Sequence, residues 1–344
     1  MTHEESAFAA LLRAPPERLE ALARRGQLLT RQHFGRTIAL YAPLYLSSYC
    51  CGGCAYCGFA ADRRQPRQRL EPVELDAELA ALKAMGFEQV LLLTGERTPQ
   101  ADFGYLHAAV RAAARRFHEV TVEAFPMSVA EYRELAAAGC TGVTLYQETY
   151  DAEAYARWHR WGPKRDYASR LEAPARALEA VIRTVGLGAL LGLAEPRAES
   201  LALYRHAREL QRRFWRAGVS VSFPRLRPEA GGFEPPQAVS DRLLAQIIFA
   251  FRISLPETTL VLSTREAPAL RDGLAGVGIN RMSVASRTTV GGYRAAAAPA
   301  EAPRQFAVSD ERDVASFCAA LRRRGLEPVF KNWDAAFRTE DACA

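Results

Sequence analysis

Eight short apolar runs, each separated from the next by a longer stretch of helical period, constrain this chain more than any other feature. The runs are TIALYAPLYL (37–46), QVLLLTG (89–95), EVTVEAF (119–125), GVTLYQE (142–148), GLGALLGL (186–193), VSVSFPRL (219–226), TTLVLSTR (258–265) and GINRMSVAS (278–286). Aliphatic and β-branched runs of this length, alternating with helical segments, mark parallel strands joined by crossover helices. Segments such as EPVELDAELAALKAMG (71–86), SVAEYRELAAAG (128–139) and AVSDRLLAQIIFAFRISL (238–255) are amphipathic, and the first two end in the glycine that stops a helix. Right-handed crossovers between eight such strands predict a (β/α)8 TIM-type barrel; an open doubly wound sheet is the alternative. At 344 residues and 49% hydrophobic content, one α/β barrel consumes most of the chain. The expected divisions are an N-terminal helical arm (1–36), a barrel (37–290) and a short C-terminal extension (291–344).

Charge and hydropathy exclude several classes of function. No uninterrupted apolar run reaches membrane-spanning length, and the N-terminus mixes charges of both signs without a signal-peptide core, so a soluble cytoplasmic protein is expected. The net charge of +6 and pI near 9.0 invite a nucleic-acid reading. Nearly all the positive charge is arginine, however, with lysine only at 83, 164 and 331, and no arginine-aromatic stripe or nucleic-acid module accompanies it.

The stretch SSYCCGGCAYCGF (47–59) packs four of seven cysteines into eight positions. Two registers are open: Cys50, Cys54 and Cys57 as C-x3-C-x2-C, or Cys51, Cys54 and Cys57 as C-x2-C-x2-C. A structural zinc site closes four ligands around its ion and needs a further Cys or His nearby, but Cys140, Cys318 and Cys343 are isolated and the six histidines show no paired spacing. Disulfides do not suit a chain without a secretory signal, and vicinal Cys50 and Cys51 do not easily bridge. Three thiolates on one short loop suit an iron-sulfur cluster with one iron left open.

In a barrel, chemistry belongs where the strands end and the βα loops converge. There the sequence places the cysteine loop, then TGE (94–96), QETYD (147–151), PRLRP (224–228), STRE (263–266) and SVAS (283–286). Singly each is an ordinary cap or rim group; together, around a cysteine loop, they predict a site.

Read through Cys50, Cys54, Tyr56 and Cys57, the pattern C-x3-C-x-aromatic-C resembles that of the radical SAM enzymes. The resemblance implies that these three cysteines hold a 4Fe-4S cluster whose fourth iron is chelated by S-adenosylmethionine, and that Cys51 is the spare. YAPLYLSSYCCGGCAYCGF, LLLTGE, YQETYD, GLGALLGL, SVSFPRLRP, LSTRE, INRMSVASRTTVGGY and PVFKNWD further resemble, in order and spacing, the tyrosine lyase family of thiamine thiazole biosynthesis, the 2-iminoacetate synthases. The match covers roughly residues 28–335. The tyrosine lyase of hydrogenase maturation carries a second-cluster C-x2-C that is not found after Gly292 here. The tryptophan lyase of antibiotic biosynthesis shares TGE and TRE but differs after the third cysteine, and remains the alternative lyase. A non-catalytic iron-sulfur carrier is the alternative of another class.

That resemblance implies reductive cleavage of S-adenosylmethionine to methionine and a 5'-deoxyadenosyl radical, which takes a hydrogen from the amine of L-tyrosine. The Cα–Cβ bond then breaks to yield 2-iminoacetate (dehydroglycine) and p-cresol. It implies Thr94, Gly95 and Glu96 at the methionine amino group, and Gln147, Glu148 and Arg170 at the ribose and carboxylate of S-adenosylmethionine. Arg265 is expected to grip the tyrosine carboxylate by its planar fork, with a salt bridge to Glu266 as its plainer role. Tyr45 and Ser283 are expected to help hold the amino-acid end of the substrate. The implied partners are thiazole synthase and a flavodoxin- or ferredoxin-type electron donor.

Overall fold

All eight expected strands form, and the computed structural model, which describes residues 2–294 and 303–331, closes them into a barrel. They are β1 (Thr37–Tyr45), β2 (Gln89–Leu93), β3 (Glu119–Glu123), β4 (Gly142–Thr144), β5 (Thr184–Gly188), β6 (Gly218–Ser222), β7 (Thr259–Leu262) and β8 (Arg281–Ser283). Every neighbouring pair is parallel. Closure is made by β1, which pairs with β2 from Ala42↔Val90 to Tyr45↔Leu93 and with β8 from Ala39↔Arg281 to Tyr41↔Ser283. The ring excludes the doubly wound sheet. The expected runs outlast the hydrogen-bonded strands at their C-terminal ends, because residues such as 145–148, alternately buried and half-buried, and 189–193, buried throughout, continue past the ladder into the mouth.

Alternation along β1 shows how the layers divide. Ile38, Leu40, Ala42 and Leu44 are fully buried in the main core, whereas Tyr41 and Tyr45 turn to a separate cluster inside the barrel with Leu91, Leu93 and Val261. Successive side chains of a strand point to opposite faces, so one run of apolar residues serves both the outer core and the bore. Space for large rings in the bore comes from small residues opposite: a Cβ on Gly188 would lie 2.6 Å from the Tyr146 ring.

The N-terminal arm, helices at His3–Leu12 and Leu19–Phe34, packs against the outside of the barrel. Phe8 stacks on Tyr204 at 4.3 Å and meets Phe251 edge-on, and Gln246 Nε2 donates to the carbonyls of Leu11 and Ala14. That tie to the helices Pro196–Arg213 and Asp241–Ser254 gives the arm a structural role the sequence did not suggest.

Two further features follow β8. Residues 303–310 cross the mouth as a strap: Gln305 N–H donates to Thr288 O, Gln305 O accepts from Gly58 N–H, Ala307 N–H donates to Pro228 O, and Thr264 O accepts from Ser309 and Asp310. A ninth strand, β9 (Glu327–Val329), pairs in parallel with Thr37–Ala39. Ala39 is in register with Arg281 of β8 and with Val329, so β9 lies along the other edge of β1, below the point where β2 begins. Three residues with a proline in the middle read poorly as a strand, and proline is tolerated here because the pairing is at an edge. Part of PVFKNWD (328–334) and all of Cys343 lie outside the described residues. Among the described residues, no helix is long and apolar enough to cross a membrane.

Candidate active site

The loop after β1 is shaped by contacts that leave no room for side chains. Gly53 N–H donates to Trp161 O, and a Cβ on Gly53 would lie 2.3 Å from the Trp161 ring. A Cβ on Gly95, at the end of β2, would lie 2.6 Å from Cys50 Cβ and 2.7 Å from Tyr49 O. The loop is thus pressed between the 158–162 segment and β2, and this decides where each thiol points. Cys50, Cys54 and Cys57 line one cavity at the barrel mouth. Cys51 does not; its thiol donates to Arg97 O at 3.2 Å. The C-x3-C-x2-C register therefore gathers three sulfurs on one cavity wall.

Several groups support these thiols. Cys50 Sγ accepts from the backbone N–H groups of Gly52 (3.4 Å) and Glu96 (3.3 Å). Burial pushes all three thiols up to about 11. The Lys164 ammonium pulls Cys54 the other way. Tyr56 is held by its hydroxyl on His159 Nε2 at 2.7 Å. His159 Nδ1 lies 2.8 Å from the Tyr155 carbonyl, so it must carry the proton there and leave Nε2 as acceptor. Burial, then Lys164, lowers His159 to about 3, so it stays neutral.

Beside the thiols lies a buried charge cluster. Glu96 Oε1 accepts from Arg170 at 3.1 Å, Arg170 Nε donates to Tyr146 O at 2.7 Å, and Lys164 Nζ donates to Glu148 Oε1 at 2.7 Å. Burial opposes charge on Arg170, yet Glu96 and Glu148 outweigh it and raise its pKa. Glu148 sits at φ 70°, a conformation that costs a non-glycine residue about 1–3 kcal/mol and persists where the surroundings impose it.

Of the residues expected from sequence, Tyr45, Thr94, Gly95, Glu96, Glu148, Arg170 and Arg265 share this cavity wall with the three cysteines. Gln147 does not join them: its amide donates to Tyr167 O at 3.3 Å, on the helix side of the strand, while Tyr146 and Glu148 on either side of it line the cavity. Tyr146 and Gln147 are adjacent and point to opposite faces of the segment that runs on from β4, and Glu148 reaches the cavity from its left-handed backbone. Ser283 lies deeper, where its hydroxyl accepts from Thr264 N–H at 3.2 Å, and lines the lower part of the cavity with Tyr45 and Arg265. Arg265 is not tied to Glu266, whose carboxylate is taken by Arg225 and Arg227. Its guanidinium instead lies 3.4 Å over the Phe306 ring, and Nη1 donates to Arg225 O at 3.3 Å. The Tyr45 hydroxyl donates to Gln305 Oε1 at 2.6 Å.

Sequence reasoning missed Glu123, Lys164 and the strap residues Gln305 and Phe306, all on the cavity wall. Glu123 carried a signal, a carboxylate at the C-terminal end of a greasy strand. Lys164 carried a weaker one, a lone lysine in an arginine-rich chain. Nothing local marks the strap.

The donor set fits an iron-sulfur cluster and an amino-acid-bearing cofactor. Among the described residues, no three His, Cys, Asp or Glu side chains are placed to hold a single metal ion. In a cluster each thiolate takes a different iron, so its sulfurs stand apart around a cavity, as these do. Among the described residues, Glu96 Oε2 is buried with no hydrogen-bond partner, although its other oxygen is paired. A buried acceptor is costly to leave unmet, and an incoming ammonium satisfies it.

A parallel barrel with three thiols and a charge cluster at its C-terminal mouth is the architecture of a radical SAM enzyme, and the radical SAM superfamily model matches residues 44–206. The biotin and thiamin synthesis associated domain matches residues 222–327. The chain is 44% identical over 92% of its length to 2-iminoacetate synthase of Escherichia coli (strain K12), covering 83% of that protein, and 41% identical over 95% to that of Salmonella typhimurium, covering 86%. The crystal structure of HydG, a maturase of the FeFe-hydrogenase, superposes with a TM-score of 0.90 at 31% identity, over 97% of this chain and 74% of that one. The chain belongs to the 2-iminoacetate synthase family of the radical SAM superfamily, and is a radical SAM lyase.

Proposed function

We propose that this lyase cleaves L-tyrosine at Cα–Cβ to 2-iminoacetate and p-cresol, supplying the thiazole moiety of thiamine. Cys50, Cys54 and Cys57 would hold the 4Fe-4S cluster, and Glu96, with Thr94 and Gly95, the amino group of S-adenosylmethionine; Arg170 and Glu148 flank it. When bound, cluster and S-adenosylmethionine supply a one-electron route to hydrogen abstraction, ending in methionine and 5'-deoxyadenosine. The chain's own residues bind and orient the amino acid and keep water out. Holding the reacting groups in line is worth up to about 7–11 kcal/mol of the barrier.

The observation that carries the reading is Arg265, a cavity-facing guanidinium stacked on Phe306 with no carboxylate partner among the described residues, across the same cavity as the thiols. Its rigid fork suits an amino-acid carboxylate, and Tyr45, Tyr146 and Leu93 supply aromatic and apolar wall for a phenol ring. We place the enzyme in the cytoplasm, with thiazole synthase taking up the hydrolysable imine and a flavodoxin- or ferredoxin-type protein as electron donor. The division into arm, barrel and extension at 36/37 and 290/291 belongs to the same proposal.

Incubating reduced, reconstituted protein with S-adenosylmethionine and each aromatic amino acid tests this reading. Tyrosine should give p-cresol, and Arg265→Ala should lower p-cresol about a hundredfold while 5'-deoxyadenosine falls less, because a loosely held amine is misaligned. Arg265→Lys should not restore the ratio. Strict proportionality of the two products, or p-cresol from neither protein, would remove Arg265 or tyrosine, respectively, from the proposal.

A further inference from the structure

One mouth carboxylate faces the cavity without a partner. Glu96 is held by Arg170 and Glu148 by Lys164, but Glu123, at the C-terminal end of β3, makes neither a side-chain hydrogen bond nor a salt bridge among the described residues. It lines both the upper part of the cavity, with the thiols, and the lower part, with Ser283; Arg265 does the same. Facing it are Glu148 from the segment after β4, Arg265 from that after β7, and Lys164 and Arg170 from the 163–170 segment. Tyr41 and Tyr45 of β1 and Tyr146 beyond β4 complete its surroundings.

Resting on the lyase reading above, we propose that Glu123 receives the α-ammonium of the substrate amino acid and takes one of its protons. An α-ammonium is two bonds from its own carboxylate carbon, so a substrate gripped at Arg265 brings its amine to the neighbouring wall. Arg265 and Glu123 thus form a cation and an anion complementary to a zwitterionic head group. The step is a proton transfer: the ammonium and the Glu123 carboxylate become a neutral amine and a carboxylic acid, and no electrons move. It is needed because hydrogen abstraction from the nitrogen to give a neutral aminyl group requires the amine rather than the ammonium.

Proton affinity agrees with geometry. Burial, and next the charge of Glu148, raise Glu123 to about 7, with Arg265 pulling against them. The α-ammonium of a free amino acid gives up its proton somewhat above neutrality, and a carboxylate whose proton affinity is raised toward neutrality is the acceptor best matched to it. Glu148 is held by Lys164, which with Arg170 lowers its proton affinity, and Glu96 is already paired with Arg170.

Cluster-loaded, S-adenosylmethionine-bound but unreduced protein should be titrated with L-tyrosine, L-phenylalanine and 3-(4-hydroxyphenyl)propionate, which lacks the amine. Glu123→Gln should weaken both amino acids by about 10- to 100-fold and leave the propionate at its wild-type affinity. In turnover, wild-type p-cresol per 5'-deoxyadenosine should rise with pH and level off above about 7, since the ionised carboxylate is the acceptor. Glu123→Gln should lower that ratio by on the order of a hundredfold or more at neutral pH and recover part of it toward pH 9. Glu123→Asp should keep the wild-type pH shape at lower amplitude, and the cluster absorption reports folding of each variant. Equal weakening of the propionate, or a Glu123→Gln ratio with the wild-type value and pH profile, would overturn the assignment. A wild type that binds the amino acids but makes no p-cresol sinks tyrosine cleavage instead, and the titrations still decide Glu123.

Discussion

Replacing Lys164 with methionine removes the cation from a buried pair and isolates what the charge cluster contributes to stability. Lys164 Nζ is 2.7 Å from Glu148 Oε1, and Arg170 is 3.9 Å from the same oxygen. At an effective dielectric of about 20 the lost attraction is about 6 kcal/mol, while Arg170 retains about 4 kcal/mol. The loss is capped, because Glu148 can take up a proton, which near pH 7 costs an ordinary carboxylate about 3.5 kcal/mol. A penalty of about 3–4 kcal/mol is therefore expected, in line with one partner removed from a buried pair.

The penalty has a pH signature. Burial pushes Glu148 up, but Lys164 and Arg170 outweigh it and hold it below the ordinary carboxylate value of 4.5. In the wild type its contribution is thus present above that value and lost as pH falls through the lowered one. Without Lys164, burial opposed only by Arg170 raises Glu148 above its unfolded value, so the variant loses stability as pH rises through the raised value. Urea unfolding of metal-free protein under reductant, at about pH 7 and about pH 4.5, should show the penalty at the first and little at the second, with m unchanged. Lys164→Met/Glu148→Gln should recover most of it. A penalty under about 1 kcal/mol near pH 7, or one equal at both pH values, would refute the capped-charge argument.

Six further substitutions, in three tests, probe the mouth. Cys50→Ala, Cys54→Ala and Cys57→Ala should each abolish a SAM-responsive 4Fe-4S spectrum while Cys51→Ala keeps it; a Cys51→Ala protein without cluster beside a Cys50→Ala protein with one reverses the register. Glu96→Gln should retain its cluster and bind S-adenosylmethionine more weakly by about 1.5–3 kcal/mol in anaerobic titration, since it removes a charged acceptor; unchanged affinity moves Glu96 out of the site. Gly95→Ala should impair cluster loading, because its methyl would meet Cys50 Cβ at 2.6 Å and the Tyr49 carbonyl at 2.7 Å, and full iron content after reconstitution would show that the loop yields.

Much of the barrel was legible because its strands are apolar on both faces, and a run such as QVLLL has few other places to go. In the cysteine loop spacing left two registers open and the resemblance chose between them; the structure gathers Cys50, Cys54 and Cys57 on one wall and leaves Cys51 outside it. The middle of the mouth was not legible. From YQE one cannot read that Tyr146 and Glu148 turn inward and Gln147 outward, since the phase of a two-residue period is set where the segment leaves the sheet. Glu266, the plainer partner expected for its neighbour Arg265, is instead bound by Arg225, because the two lie in a turn after β7, closed by Glu266 N–H on Ser263 O, that the residue types alone do not orient.

By itself the sequence determined the eight-strand alternation, the three-thiol loop and the polar groups gathered at the strand ends, all of which are short-range patterns of residue type. Only the tertiary structure decided which groups meet. Gln305 on Tyr45 and Phe306 under Arg265 are contacts between residues 260 and 41 positions apart, made by a strap whose course is set by backbone bonds to Gly58, Pro228, Thr264 and Thr288. The fate of each charge was likewise tertiary. Glu96, Glu123 and Glu148 are the same residue type at the ends of neighbouring strands, yet two are given a buried cation and one is left to the cavity. An ionisable group's proton affinity depends on how much water is excluded and which charges stand within a few ångströms, and neither quantity exists until the chain has closed on itself.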